Sequence, residues 1–239
     1  DNQIITTFSD AIDANPFGVE IIQNVYTWDS EEAQDYMILE YNIINKSSIE
    51  LNSMYFGIFH DWDLVEADNN SAVFDSEHNL MYCQNNGEQT LYASIKLLSY
   101  LPANNYALPQ NEGGDGVIDI SSSFTDMEKF YTITNSNSGY GNSNIGADIV
   151  MVNSAGPFDI KRNDTVKIVF AYLVSESLFN LFLASEEVET KYSDIFHETN
   201  VYINKVESSF KVYPNPANNN FTISISKSFE SDSDRSYDV

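Results

Sequence analysis

The chain has 239 residues, of which 42% are hydrophobic and 15 each are tyrosine and phenylalanine. This length can bury one core and leaves room for a smaller second unit, and the composition is that of a packed β-rich domain. Eleven basic against 36 acidic residues give a formal net charge of −25. Such a balance disfavours nucleic acid and anionic membranes, which are bound through Lys and Arg, and favours hard cations.

Targeting and cysteine patterns add little to this picture. The sequence opens with no recognisable signal segment and contains no apolar run long enough to span a membrane, so we expect a soluble chain whose Asp1 begins a fragment. The single cysteine, Cys83, lies in an apolar stretch and is expected to be a small buried hydrophobe without a disulfide.

The first part of the chain predicts an antiparallel meander. Residues 1–16 are polar with scattered apolar positions and end in the Asn15-Pro16 turn signal. Strands are then predicted at residues 17–28, 36–45 and 51–59. Apolar residues alternate in the second of them, and the connections are too short for helical crossovers.

Beyond an acidic loop, the pattern predicts more strands and two short helices. Strands are expected at residues 79–83, 90–100, 148–152 and 164–174, with loops at 102–116 and 135–146 and a turn at Gly156-Pro157. Thr125 and Glu128 have the spacing of a capping box, which predicts a helix through about Ile133. Residues 178–192 place their apolar side chains on one helical stripe, so this helix should cover one end or face of the sheets. The predicted fold is a mainly β antiparallel sandwich.

The densest charge in the sequence follows the third predicted strand. Six carboxylates fall between Tyr55 and Tyr82: Asp61, Asp63, Glu66, Asp68, Asp75 and Glu77. These carboxylates repel one another unless water, salt or a bound cation offsets the repulsion. Asp-x-Asp at a strand end suits a hard cation, and we expect a Ca²⁺ site formed by Asp61, Asp63, Asp68 and Asp75. The spacing does not match an EF-hand, and a solvated acidic loop is the alternative.

Other metal sites are less strongly indicated. Asp115, Asp119 and nearby glycine carbonyls form a second candidate cation site, with a plain flexible loop as the alternative. His60 and His78 flank the acidic loop and would offer nitrogen ligands for zinc, but they lack the spacing of a known zinc motif.

Aromatic residues in or beside loops suggest a second kind of site. Trp28, Trp62, Tyr106 and Tyr140 could form a rim for a sugar or peptide, or could simply complete the core edge. The sequence contains no G-x-S-x-G, Walker A or Rossmann pattern, which disfavours an enzyme. A pair of carboxylates for glycoside hydrolysis remains open, because any two of the 36 acids might be suitably separated.

The most specific string lies near the C-terminus. Residues 210–223 read FKVYPNPANNNFTI, in which Tyr213, Pro214, Asn215 and Pro216 separate two predicted strands. The string resembles the opening of the type A sorting domain of proteins exported by the type IX secretion system of Bacteroidetes-type bacteria. That resemblance implies an immunoglobulin-like domain, recognition by the secretion machinery and delivery to the cell surface or medium. Since the family's domain has further strands and the sequence ends at Val239, we expect a truncated sorting domain at 207–239 after a β-sandwich module at 1–206.

Three strings upstream give a second resemblance. FHDWD at 59–63, GADIV at 146–150 and the stretch from GPFDI at 156–160 to VFA at 169–171 resemble a β-rich module of large secreted proteins, including subtilisin-like peptidases. The resemblance implies a noncatalytic module and supplies no catalytic residues. The sequence therefore predicts a Ca²⁺-stabilised module of a secreted or surface protein. The alternatives are a carbohydrate- or protein-binding adhesin module and a fragment of a secreted hydrolase.

Overall fold

The computed structural model describes residues 2–30, 33–111, 113–142 and 145–196, with side chains through residue 194, and the backbone of 209–213 and 222–226. Contacts divide the chain into two units, residues 1–197 and 198–239. The boundary expected at residue 206 lies outside the described residues.

The first unit consists of strands and two α-helices. The strands are β1 (Asn2–Ser9), β2 (Val19–Thr27), β3 (Tyr36–Asn45), β4 (Leu51–Trp62), β5 (Asn70–Asp75), β6 (Leu80–Asn85), β7 (Tyr92–Leu97), β8 (Ala103–Pro109), β9 (Gly139–Tyr140), β10 (Ile149–Ile160) and β11 (Thr165–Ser175). The helices are α1 (Asp126–Thr134) and α2 (Leu178–Phe196).

The strands form two antiparallel sheets. The larger has eight strands in the order β1-β2-β3-β11-β7-β6-β5-β9, and the smaller has the order β4-β10-β8. One core cluster draws buried side chains from both, among them Phe170 of β11 and Met151 of β10. The Phe170 ring lies 6.4 Å from the rings of Tyr41 and Phe56, which belong to different sheets. The predicted antiparallel, mainly β architecture with two helices is therefore confirmed.

Each helix covers the outer face of one sheet. On α2, which at 19 residues is longer than the short helix predicted, the stripe residues Leu181, Val188 and Tyr192 are buried against the eight-stranded sheet. The strand β11 is consequently buried on both faces. Helix α1 begins with the predicted capping box between Thr125 and Glu128 and contacts β4, β8 and β10.

Several strand assignments differ from the sequence expectations. Gly156-Pro157, expected to form a turn, lies inside β10, where the register with β4 shifts between Ala155 and Phe158. Residues 103–109, expected in a loop, form β8 because β10 pairs with them throughout. The strands β1 and β5 have no counterpart in the sequence predictions, since tertiary pairing rather than local apolar alternation defines them.

The described part of the second unit is a strand pair. β12 (Ser209–Tyr213) and β13 (Thr222–Ser226) pair antiparallel, with Ser209 opposite Ser226 and Tyr213 opposite Thr222. Pro214, Asn215 and Pro216 of the predicted sorting motif lie outside the described residues. Among the helices that the structure describes, none combines the length and the hydrophobicity needed to cross a membrane.

The structure predicts that replacing two phenylalanines by alanine lowers the free energy of unfolding by very different amounts. Phe170 is fully buried between the sheets, whereas Phe179 on α2 is 69% exposed. Phe170→Ala should lower the free energy of unfolding by about 3–5 kcal/mol through lost burial and a cavity, and Phe179→Ala by under about 1 kcal/mol. Urea denaturation followed by tryptophan fluorescence measures both, and equal losses would contradict the shared core.

Candidate metal centre

Three aspartates converge where β4 and β10 end. Trp62 of β4 pairs with Ile149 of β10, and Asp61 pairs with Val150. Continuing this register by one residue places Asp63 opposite Asp148. Because side chains alternate along a strand, Asp61, Asp63 and Asp148 emerge on the same sheet face, away from the core. One carboxylate oxygen from each lies within 4.8 Å of the other two.

Backbone hydrogen bonds fix this end of β10 on both sides. The Gln110 N–H donates to the Asp148 carbonyl at 2.8 Å. One residue earlier, Ala147 exchanges two backbone hydrogen bonds with Asn70, at 2.8 and 3.0 Å. Asp148 is thus held between two chain segments and does not sit in a free loop.

The buried side chain of Asn70 holds the acidic segment in place. Its Nδ2 donates to the carbonyl oxygens of Trp62, Glu66 and Ala67 at 3.3, 2.9 and 2.7 Å. These bonds wrap residues 62–67 around one amide, and a short 3-10 turn at Ala67–Asn69 follows. The carboxylates after Trp62 are therefore positioned by a closed loop.

The electrostatics of the cluster are unfavourable when no cation is present. Burial raises the pKa of Asp148, and the negative charges of Asp61, Asp63 and Asp68 raise it further. Asp148 Oδ1 is buried and has no hydrogen-bond partner among the described residues. In the same part of the chain, none of the five ion pairs involves Asp61, Asp63 or Asp148. A buried, unpartnered acceptor beside two like charges can be relieved by protonation or by a cation.

The structure brings together some of the predicted ligands and not others. Asp61 and Asp63 belong to the cluster, whereas Asp68 acts on Asp148 through its charge without joining the ligand set. Asp75 ends β5, five residues beyond Asn70 and so about 16 Å further along the strand. Its Oδ1 accepts from the backbone of Glu77 and His78 and lies 2.9 Å from His78 Nδ1. Asp75 therefore organises the β5–β6 turn.

Sequence reasoning missed Asp148. The string GADIV at 146–150 places a lone aspartate at a strand start, a position with no local indication of a ligand. Only the register between β4 and β10 brings it to Asp61 and Asp63. Finding it from the sequence would require predicting that β4 pairs with β10.

The two histidines lie on different elements and do not assemble a zinc site. The His60 ring, on β4, lies 3.8 Å from the Trp62 ring and 5.3 Å from that of Tyr172, and burial lowers its pKa. The His78 ring, in the β5–β6 turn, stacks on Phe182 of α2 at 3.8 Å. Neither histidine joins the metal-ligand group of the described residues.

The second candidate cation site is occupied by hydrogen bonds within the chain. Asp115 accepts from the Tyr106 hydroxyl at 2.5 Å and from the backbone of Val117 and Ile118. Asp119 accepts from Gly113 N–H and from both the backbone and the hydroxyl of Ser121. These hydrogen bonds hold the loop after β8 in place.

The predicted aromatic rim is largely interior. Trp62 and Tyr106 are only 6% and 4% exposed, so they belong to the core and to the cluster under the β8 loop. Tyr140 is half-buried beside β5, and Trp28 lies against Tyr36 with Lys191 Nζ 5.1 Å from its ring centroid. The rim expectation is corrected: Trp62 and Tyr106 cannot contact a ligand at the surface.

A separate cavity lies between α1 and the three-stranded sheet. Its volume is about 370 Å³, and its lining is mostly apolar: Gly57, Phe59, Phe124, Lys129, Thr132, Ile133 and Val152. The one ammonium group in the lining, that of Lys129, lies 3.3 Å from Asp126. None of the clustered carboxylates lines this cavity, which is therefore distinct from the candidate metal centre.

Comparison with known proteins does not extend this description. No protein-family model matches the chain, and no curated protein matches it significantly.

The raised pKa of Asp148 predicts a pH-dependent stability of the ion-free protein. An acid whose pKa is higher folded than unfolded favours folding when protonated, so this contribution is lost as pH rises from its ordinary value of 3.8 through the raised value. Asp148→Asn should remove this loss and stabilise the protein at neutral pH in EDTA. Urea titrations between pH 4 and 7 measure the effect. Asp29→Asn, at an exposed position, is the charge-matched control, and an equal gain there would contradict the local origin.

Proposed function

We propose that this chain is a noncatalytic β module whose rim carries a Ca²⁺ site formed by Asp61, Asp63 and Asp148. The observation that carries the proposal is the convergence of three carboxylates, one of which, that of Asp148, has a buried and unpartnered Oδ1. Such an arrangement is costly in itself and becomes favourable when a cation bridges the oxygens. Asp68 adds a further negative charge nearby.

The donor set favours a hard cation. All three groups are carboxylates, which suit Ca²⁺ and Mg²⁺, whereas zinc prefers nitrogen and sulfur. Asp61 and Asp63 are exposed, so water can complete a shell of six to eight oxygens. The irregular loop after β4 can adapt to the longer oxygen distances of Ca²⁺ more easily than to the strict octahedron of Mg²⁺.

The ion's role in this proposal is structural. The core already holds the start of β10. A cation shared by Asp63 and Asp148 would therefore fix the loop after β4 to a rigid strand. A partly solvated site with three carboxylates suits the weak affinities of extracellular modules, which bind Ca²⁺ at about 10⁻⁴–10⁻³ M. The site would therefore be filled outside the cell.

The cellular context of the proposal comes from the C-terminal motif. The resemblance of Tyr213, Pro214, Asn215 and Pro216 to a type IX sorting signal supports export to the outer-membrane surface or the medium. Strands β12 and β13 lie before and after Pro214-Asn215-Pro216 in the sequence. A carbohydrate- or protein-binding adhesin module and a hydrolase fragment remain the alternatives, and an adhesin would need a surface other than the buried Trp62 and Tyr106.

Calcium should stabilise the protein through this cluster. At a Ca²⁺ concentration well above the dissociation constant, the melting temperature should rise by roughly 3–10 °C relative to EDTA. Asp148→Asn and Asp61→Asn should reduce or abolish this rise. Differential scanning calorimetry with Ca²⁺, Mg²⁺ and EDTA measures it.

Asp75→Asn is the matched control for this experiment. It removes one carboxylate of the same acidic segment, but from the β5–β6 turn, so the calcium response should persist. A protein with the same melting temperature in Ca²⁺ and EDTA would exclude the site. A response lost in Asp75→Asn but retained in Asp148→Asn would place it elsewhere.

The motif predicts dependence on the secretion machinery. In a bacterium with a type IX system, replacing Asn215 and Pro216 by alanine in the whole protein should abolish its appearance at the surface and in the medium. Surface proteolysis and immunoblotting of cell fractions measure this. Replacing the adjacent Asn218 and Asn219 is the control, and unchanged surface delivery of the motif variant would refute the assignment.

A further inference from the structure

A buried carboxylate on the α2-covered face of the eight-stranded sheet contacts three nitrogen-bearing side chains. Glu40 of β3 is 6% exposed. Its Oε1 accepts from Asn42 Nδ2 at 2.7 Å and from Asn24 Nδ2 at 3.0 Å. Its Oε2 lies 3.5 Å from Lys167 Nζ. One carboxylate thus touches a primary amine and two carboxamides.

The sheet register places the amine beside one of these amides. Lys167 of β11 is the direct cross-strand partner of Asn42 of β3. Directly opposed residues have Cβ atoms about 4.5–5.5 Å apart, within reach of a lysine and an asparagine side chain. Val169, opposite Glu40, is buried beneath α2, so all three groups lie on the helix-covered side of the sheet.

We propose that Lys167 and Asn42 form an intramolecular isopeptide bond, with Glu40 transferring the protons. The three requirements are a nucleophilic amine, an amide carbon with a leaving nitrogen, and a buried acid–base group in contact with both. Glu40 meets the last requirement through its two oxygens, one directed to the amine and the other to the leaving nitrogen. A lysine amine becomes nucleophilic when it loses a proton, and Glu40 Oε2, 3.5 Å from Lys167 Nζ, is placed to accept it.

The reaction balances without an added reagent. A proton passes from the Lys167 ammonium to Glu40, and the freed Nζ lone pair attacks Asn42 Cγ. The Cγ–Nδ2 bond then breaks, with Glu40 carrying a proton from Nζ to the departing nitrogen. One C–N bond forms and one breaks, and the nitrogen leaves as ammonia, which takes up the remaining proton as ammonium.

The cross-link would suit this chain for a physical reason. The single cysteine, Cys83, is buried on β6 and unpaired, so no disulfide constrains the unfolded chain. A bond between β3 and β11 would join two adjacent strands at the centre of the eight-stranded sheet. It would restrict the unfolded ensemble in the way that a long-range disulfide does.

Intact-mass spectrometry of the full chain tests the proposal. The wild-type protein should be lighter than its sequence by one ammonia, whereas Lys167→Arg and Glu40→Gln should have the full sequence mass. Lys161→Arg, at an exposed position, is the matched control and should retain the loss. Lys167→Arg keeps the positive charge beside Glu40, so it also serves if Glu40→Gln does not fold.

Peptide mapping identifies the bonded pair. The proposal predicts one branched peptide in which the Lys167 side chain is joined to Asn42. A wild-type protein of full sequence mass would overturn it. So would a branch at Asn24, or an ammonia loss that persists in Lys167→Arg, which would indicate cyclisation of an asparagine instead.

Discussion

The pairing of β4 with β10 is the constraint on which most of this structure depends. Even-numbered residues of β4, such as Phe56, Ile58 and Trp62, face the eight-stranded sheet and join the shared core. The odd-numbered Gly57 and Phe59 face outward and line the cavity beneath α1. A slip of one residue would exchange these two sets, so core burial fixes the register strongly. The same register places Asp61 on the outer face beside Asp148, so core burial alone is enough to bring these two carboxylates together.

The eight-stranded sheet imposes a different constraint, because helix α2 buries its second face. β11 must supply apolar side chains to both sides, and Phe170 and Val169 face opposite clusters. Glu40 nevertheless occupies a covered position on β3, next to this strand. A buried carboxylate requires hydrogen-bond donors, and Asn24 and Asn42 supply them from β2 and β3. The Glu40 carboxylate can thus be buried beneath α2 because neighbouring side chains donate hydrogen bonds to it.

Local patterns are sufficient for elements whose burial has a simple period. The bounds of β3 follow from apolar alternation, and the start of α1 follows from the Thr125 capping box. The turn predicted from Gly156-Pro157 does not form. Pairing with β4 before and after these two residues keeps β10 continuous through an irregular register. The rim position predicted for Trp62 is wrong because sequence alone does not tell which side of a strand meets the core. The acidic cluster is half predictable, since Asp61 and Asp63 are near one another in sequence but Asp148 reaches them only through tertiary pairing.

Two groups of buried or clustered carboxylates differ in whether a basic side chain lies nearby, and this difference bears on function. Glu40 is deeply buried, and the side-chain nitrogen of Lys167 lies 3.5 Å from its Oε2. Asp148 is close to two other carboxylates, and the described residues provide no lysine or arginine in an ion pair with any of the three. With 11 basic residues for 36 acidic ones, internal cations cannot neutralise every cluster. A carboxylate cluster held together by strand register, with one oxygen buried and unpartnered, can therefore be stabilised by a proton or by an external cation. At neutral pH protons are scarce, so a metal ion is the counter-charge that the three aspartates could hold at the rim.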